Sequence, residues 1–167
     1  TPWRSVDMSS YLHDKEGELD RLCQELSFPL FVKPANAGSS VGISRVTERC
    51  MLAAAIDIAA GYDRKIILEE EVRGRELEIS ALGSPDDLTL SVIGEIVPDR
   101  DFYDYESKYG QSTSQLLIPA DLTEAEEAKG RHYAAQAFAA LGCYGMARLD
   151  FFLADSGEVL INEINTI

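Results

Sequence analysis

At 167 residues with 46% hydrophobic positions, the chain can bury one good core, and no apolar run reaches the ~20 residues a membrane-crossing helix needs. Asp and Glu number 29 against 15 Lys and Arg, a formal charge of -14 that argues against nucleic acid or an anionic membrane as partner. Cys23, Cys50 and Cys143 are isolated thiols in apolar segments and no secretory pattern is visible, so the expected location is the reducing cytoplasm.

In chain order, Ser9 or Ser10 caps a predicted helix reaching Leu26, with Leu12, Leu19, Leu22, Cys23 and Leu26 as its apolar stripe. A short apolar strand, Leu30 to Val32, runs into Lys33-Pro34-Ala35-Asn36-Ala37-Gly38-Ser39-Ser40-Val41-Gly42, and Val41 to Val46 is again strand-like. Small residues let backbone N–H groups approach an anion, and Ser39 and Ser40 add hydroxyl donors. The lysine precedes the glycines and no helix opens after Gly42, so this is not a Walker A loop. Alone, such a stretch is more often an ordinary hairpin; beside a metal site it reads as a triphosphate cradle.

Thr47-Glu48-Arg49-Cys50 opens an apolar helix to about Ala60, ended by Gly61. Lys65 to Glu69, Leu77 to Leu82 and Leu88 to Val97 are strand-like, and the acidic run Glu69-Glu70-Glu71 reads by itself as a solvated strand end. The polar connection from Asp99 to Ser114 contains Phe102-Tyr103-Asp104-Tyr105-Glu106-Ser107-Lys108-Tyr109-Gly110. Connections this long without periodicity tend to be lids or binding loops, although these aromatics also fit plain surface packing. Thr123-Glu124-Ala125-Glu126 starts a helix through Leu141, and Gly142 stops it. His13 and His132 lack nearby metal-type partners and read as surface residues, as do Arg73 and Arg75.

The end of the chain carries the sharpest chemistry. Strand alternation puts Arg148 and Asp150 on one face of Met146 to Leu153, and Glu163 and Asn165 on one face of Val159 to Ile164. With Ser156-Gly157 as a two-residue turn, Asp150 falls opposite Glu163 and Arg148 opposite Asn165. Two carboxylates about 5 Å apart at an effective dielectric near 20 repel by roughly 3 kcal/mol, and a cation removes that cost. Two carboxylates and an amide oxygen are hard ligands, favouring Mg²⁺ or Mn²⁺ over Zn²⁺. The alternative is an exposed edge hairpin whose charges face water.

KPANAGSSVG, FYDYESKY, MARLDFF and NEIN, in this order and spacing, together resemble the ATP-grasp enzymes, most closely the D-alanine:D-alanine ligase family, from about Thr1 to Ile167. The resemblance implies an α+β ATP-grasp fold, two subdomains with mostly antiparallel sheets gripping ATP. Residues 1–26 would be a linker and helix leading in, 27–70 the small subdomain, and 71–167 the large C-terminal subdomain, truncated at its end. The implied activity is an ATP-dependent ligation for peptidoglycan precursors, through a D-alanyl phosphate attacked by the amine of a second D-alanine.

The resemblance also implies roles. Lys33 holds the inner phosphates, and Lys108 with Ser39 and Ser40 the terminal one. The Glu69 carboxylate and backbone groups of Glu70 and Val72 meet adenine, Glu76 the ribose hydroxyls, and Phe102 the nucleotide. Asp150, Glu163 and Asn165 hold Mg²⁺ or Mn²⁺, two ions in all. Arg148 stabilises the oxyanion, and Tyr109, closing over the amino acid site near Ser39, favours an amine nucleophile. Alternatives are a D-alanine:D-serine or D-lactate ligase of the vancomycin-resistance kind, with Tyr109 against lactate, another carboxylate–amine ligase, or a non-catalytic nucleotide-binding fragment. The partners implied are D-alanine and ATP, with homodimerisation when full-length. The fragment alone is expected to be inactive, because the segments that complete the amino acid pocket lie outside it.

Overall fold

The computed structural model describes residues 1–37, 40–97 and 115–167. Ser39, Phe102, Lys108 and Tyr109 lie outside these residues. The chain divides into two compact units, the first Thr1–Glu71 and the second beginning at Val72.

The first unit is a four-stranded antiparallel sheet, order β1-β4-β2-β3, with helices on one face. Its elements are β1 (Trp3–Asp7), α1 (Met8–His13), α2 (Lys15–Glu25), β2 (Leu30–Pro34), β3 (Ser44–Val46), α3 (Arg49–Ala60) and β4 (Lys65–Glu70). Leu30 and Val32 of β2 and Ile66 and Leu68 of β4 point into the core, where they meet Leu19 and Leu22 of α2 and Leu52 and Ile56 of α3. Residues 1–26, expected as a lead-in, supply β1 to the sheet and Val6, Tyr11 and Leu26 to this core.

The single helix expected up to Leu26 is two helices, and the reason is aspartate chemistry. Asp7, not Ser9 or Ser10, caps α1, accepting the Ser9 N–H at 2.8 Å. Asp14 then leaves helical backbone and accepts the Gly17 N–H at 3.0 Å, starting α2 afresh. The break rotates the stripe, so Leu12 is 74% exposed while Leu19, Leu22 and Leu26 stay buried.

The second unit holds β5 (Gly74–Ser84), β6 (Asp87–Leu90), β7 (Gly94–Val97), β8 (Gln115–Leu117), α4 (Glu124–Ala140), β9 (Gly145–Ala154) and β10 (Val159–Thr166). Its antiparallel sheet runs β10-β9-β5-β7-β8, with β6 also on β5. The strand expected over Leu88 to Val97 is broken at Ser91, whose hydroxyl takes the Ser80 N–H at 3.0 Å, so β6 and β7 serve successive halves of β5. Helix α4 opens with a full capping box between Thr123 and Glu126. It lays Ala134 and Phe138 on Leu77, Ile79, Leu149 and Phe151. Gly130 permits that approach, since a Cβ there would stand 3.0 Å from Ile93 and 3.1 Å from the Phe151 ring. Arg75, expected at the surface, makes a two-pronged pair with Glu95, Nε to Oε1 at 2.9 Å, on the helix side of the sheet.

Each unit is thus α+β with an antiparallel sheet covered on one face. Among the described residues, no helix is long and apolar enough to cross a membrane.

Candidate active site

In each unit the sheet face away from the helices carries several of the expected site residues, Lys33 and Glu69 in the first and Glu76, Arg148, Asp150, Glu163 and Asn165 in the second. On the first sheet, alternation sends Phe31 and Lys33 of β2 and Ile67 and Glu69 of β4 to that face. Lys33 Nζ and Glu69 Oε2 are 2.7 Å apart, both side chains about one-fifth exposed. Each carboxylate of the acidic run has a partner in the protein, two of them cations. Glu70 accepts the Ser27 N–H at 2.7 Å, and Glu71 takes the Arg45 guanidinium with both oxygens. The neighbouring backbone is equally engaged: Glu70 N–H donates to Pro2 O and Glu71 N–H to Pro29 O, leading into the half-buried Val72. Ser40 closes the glycine-rich stretch at φ 59°, its carbonyl accepting from Ile43 N–H at 3.4 Å.

On the second sheet the hairpin has the expected site register: Glu163 opposes Asp150, and Asn165 opposes Arg148. It arrives there by two departures that cancel. The connection is one residue longer than expected, with Gly157 N–H to Ala154 O at 2.8 Å, Ala154 N–H to Glu158 O at 2.8 Å, and Gly157 in left-handed backbone at φ 82°. A bulge between Ile161 and Glu163 then restores the pairing.

The side chains modify the repulsion argument. Arg148 lies flat against Asp150, Nε to Oδ1 at 2.7 Å and Nη2 to Oδ2 at 2.8 Å, and Asn165 Nδ2 donates to Asp150 Oδ2 at 3.0 Å. The carboxylate expected to need a cation therefore has a guanidinium already, and Arg148 is held charged by Asp150 first and then by Glu78 and Glu163. The repulsion alone does not require a metal. Among the described residues, no three His, Cys, Asp or Glu side chains stand grouped to hold one. The chemical kind of the donors still fits Mg²⁺, because Asp150, Glu163 and Asn165 offer hard oxygens on one sheet face.

One residue of this face was not read from the sequence. Glu78 of β5 pairs in register with Asp150, and its Oε2 is 3.4 Å from Arg148 Nε. Burial pushes its carboxyl up, Arg148 pulls it down, and Asp150 pushes it up again. The alternation Glu76, Glu78, Ser80 marked a polar strand face, but that β5 sits beside β9 is topology, which local pattern does not carry. Glu76 itself lies two residues along the same face, in register with Ile96 and Phe152. Among the described residues this face thus sets one cation, Arg148, beside carboxylates from three adjacent strands, a net-negative arrangement suited to holding a cationic group.

Along residues 1–167 the chain matches the family model described as D-ala D-ala ligase C-terminus. A D-alanine–D-alanine ligase of Acetivibrio thermocellus is 50% identical over 155 residues, 92% of this chain and 41% of that protein. One of Geobacillus thermodenitrificans is 51% identical over 164 residues, 97% of this chain and 45% of that protein. Among solved structures, the VanG D-Ala:D-Ser ligase from Enterococcus faecalis superposes with TM-score 0.84 and 35% identity, over 99% of this chain and 47% of that one. The D-alanyl-alanine synthetase A from Vibrio cholerae does so with TM-score 0.82 and 32% identity, over 99% and 50%. The chain spans less than half the length of the curated relatives it matches.

Proposed function

The chain belongs to the D-alanine:D-alanine ligase family, with its ATP-grasp fold, and on that premise we propose that the protein containing it joins two D-alanines at the expense of ATP. The observation that carries this reading is the opposition of Arg148 and Asp150 to Asn165 and Glu163 across adjacent strands. Phosphoryl transfer asks a protein for positioning and charge balance more than for covalent chemistry. In this reading Lys33 binds the inner phosphates, with Ser39, Ser40 and Lys108 on the terminal one. Glu69, with backbone groups of Glu70 and Val72, meets the base, Glu76 the ribose, and Phe102 the nucleotide. Asp150, Glu163 and Asn165 would hold Mg²⁺ or Mn²⁺, which supplies charge neutralisation of the phosphates when bound. Arg148 donates to and stabilises the oxyanion that forms when an amine attacks the acyl carbon. Tyr109 covers the amino acid and favours that amine.

A second reading has support from the likeness to a D-Ala:D-Ser ligase at TM-score 0.84, namely D-serine as the second substrate. Cytoplasmic location and a homodimer complete the proposal. Phosphate release by the full-length protein, measured with ATP and a panel of D-alanine, D-serine and D-lactate, tests it. Release with D-alanine alone as amino acid is the expected result; release only when D-serine is added favours the second reading, and no release with any of them overturns both.

A further inference from the structure

The turn over residues 61–65 that follows α3 touches the glycine-rich stretch on both sides. On its near side, Ala35 N–H donates to Lys65 O at 2.9 Å. Asn36 gives two hydrogen bonds to one atom, backbone N–H and Nδ2 both reaching Asp63 Oδ2, at 2.9 and 2.7 Å. On its far side, Gly42 at φ 74° packs so closely on Tyr62 that a Cβ would stand 2.6 Å from the ring. The same turn accepts Met8 N–H on Arg64 O at 2.9 Å, which ties it to the start of α1.

Asp63 divides its oxygens. Oδ1 closes its own turn by accepting Lys65 N–H at 3.2 Å, and one oxygen suffices for that. The other is committed to a residue 27 positions earlier, fixing backbone and side chain of Asn36 together. These donors, the Lys65 N–H foremost, hold the carboxyl below its ordinary value, so both oxygens stay available as acceptors. A local cap does not require the second set of bonds.

We propose that Asp63 is a positioning residue for the triphosphate: through Asn36 it fixes the segment that directly follows Lys33, and so the geometry in which Lys33 meets phosphate. The inference rests on the nucleotide reading above and adds to it a residue that touches no ligand. Because its effect passes through the phosphate end alone, it distinguishes nucleotide from nucleoside.

The test is calorimetry on the full-length protein with MgATP and, separately, with adenosine, for wild type, Asp63→Ala, Asp63→Asn and Asn36→Ala. Asp63→Ala weakens MgATP about tenfold and leaves adenosine within about twofold, with the KM for D-alanine unchanged. Asp63→Asn, keeping one acceptor, falls between, and Asn36→Ala moves the same way by less. Equal loss of MgATP and adenosine would make Asp63 a merely structural cap and overturn the inference, as would unchanged affinity for MgATP. If Asp63→Ala does not fold, Asn36→Ala decides, and no MgATP-selective loss there overturns the inference as well. Wild type that binds no MgATP overturns the nucleotide reading and this inference with it, whereas wild-type binding with unaffected variants overturns this inference alone.

Discussion

Asp150 is held by the Arg148 guanidinium and the Asn165 amide, and is proposed to hold a cation besides; substitution separates these roles. Asp150→Asn should abolish most Mg²⁺-dependent binding of ATP and also lower metal-free stability by about 0.5–1 kcal/mol, the worth of a partly exposed ion pair, since Arg148 is 44% exposed. Glu163→Gln should weaken MgATP binding while leaving metal-free stability unchanged, because Glu163 is exposed and opposes a like charge. Thermal shifts with and without MgATP measure both effects, and wild-type shifts in both variants would make the hairpin purely structural. Glu95 carries a pH dependence of its own. The Arg75 guanidinium holds its carboxyl below the ordinary 4.5 against the opposing push of burial. A carboxyl depressed in the folded state contributes stability above its unfolded value and loses it as pH falls through the folded one. Glu95→Gln should therefore cost about 1–2 kcal/mol near neutral pH. The gap from wild type should close as pH drops below 4.5, read by urea unfolding at about pH 7 and about pH 3. A gap that stays constant with pH would remove Glu95 from the acid limb.

At the level of elements, what could be read was whatever local chemistry dictates. Helix α4 was legible from Thr123 to Gly142 because both ends are written in the chain, a capping box and a left-handed glycine at φ 63°. Thr123→Ala should lower the stability of the second unit by about 1 kcal/mol, and denaturant midpoints would register it. No change would mean that Glu126 alone holds the helix start. The hairpin register was legible at Asp150 and Glu163 for a less secure reason, since a longer turn and a bulge offset one another. What failed to be legible was one local cap and two non-local contacts. Leu12 fits a helical stripe as well as Leu19 does, and only the cap at Asp14 sends it outward. The pairing of β5 with β9, which brings Glu78 to Arg148, leaves no trace in the local pattern of either strand. The reach of Asp63 to Asn36 spans 27 positions and is equally silent there.

At the scale of the whole chain, each unit has its own buried core, one around Leu30, Leu52 and Ile66 and the other around Ile79, Leu149 and Phe138. The 167-residue chain should therefore bind MgATP weakly in calorimetry, with Lys33→Ala as the control that abolishes it. It should form no D-alanyl-D-alanine detectable by mass spectrometry, since it spans less than half the length of its relatives and orienting two amino acids is worth several kcal/mol of transition-state stabilisation. Dipeptide from this chain would show that the amino acid site has been misassigned.

The Lys33–Glu69 contact, 2.7 Å long, has a consequence for what such a net-acidic chain can capture. An anion arriving at Lys33 finds a lysine already neutralised, so its entry is an exchange of one counter-ion for another. Chloride or sulfate can take the lysine but carries no hydrogen-bond donor for the carboxylate it displaces. A molecule carrying a phosphate at one end and an N–H donor at the other satisfies both halves of the broken pair. In the proposed nucleotide reading, the resting contact thus penalises an anion that arrives without a donor, such as chloride or sulfate, before any ligand is met.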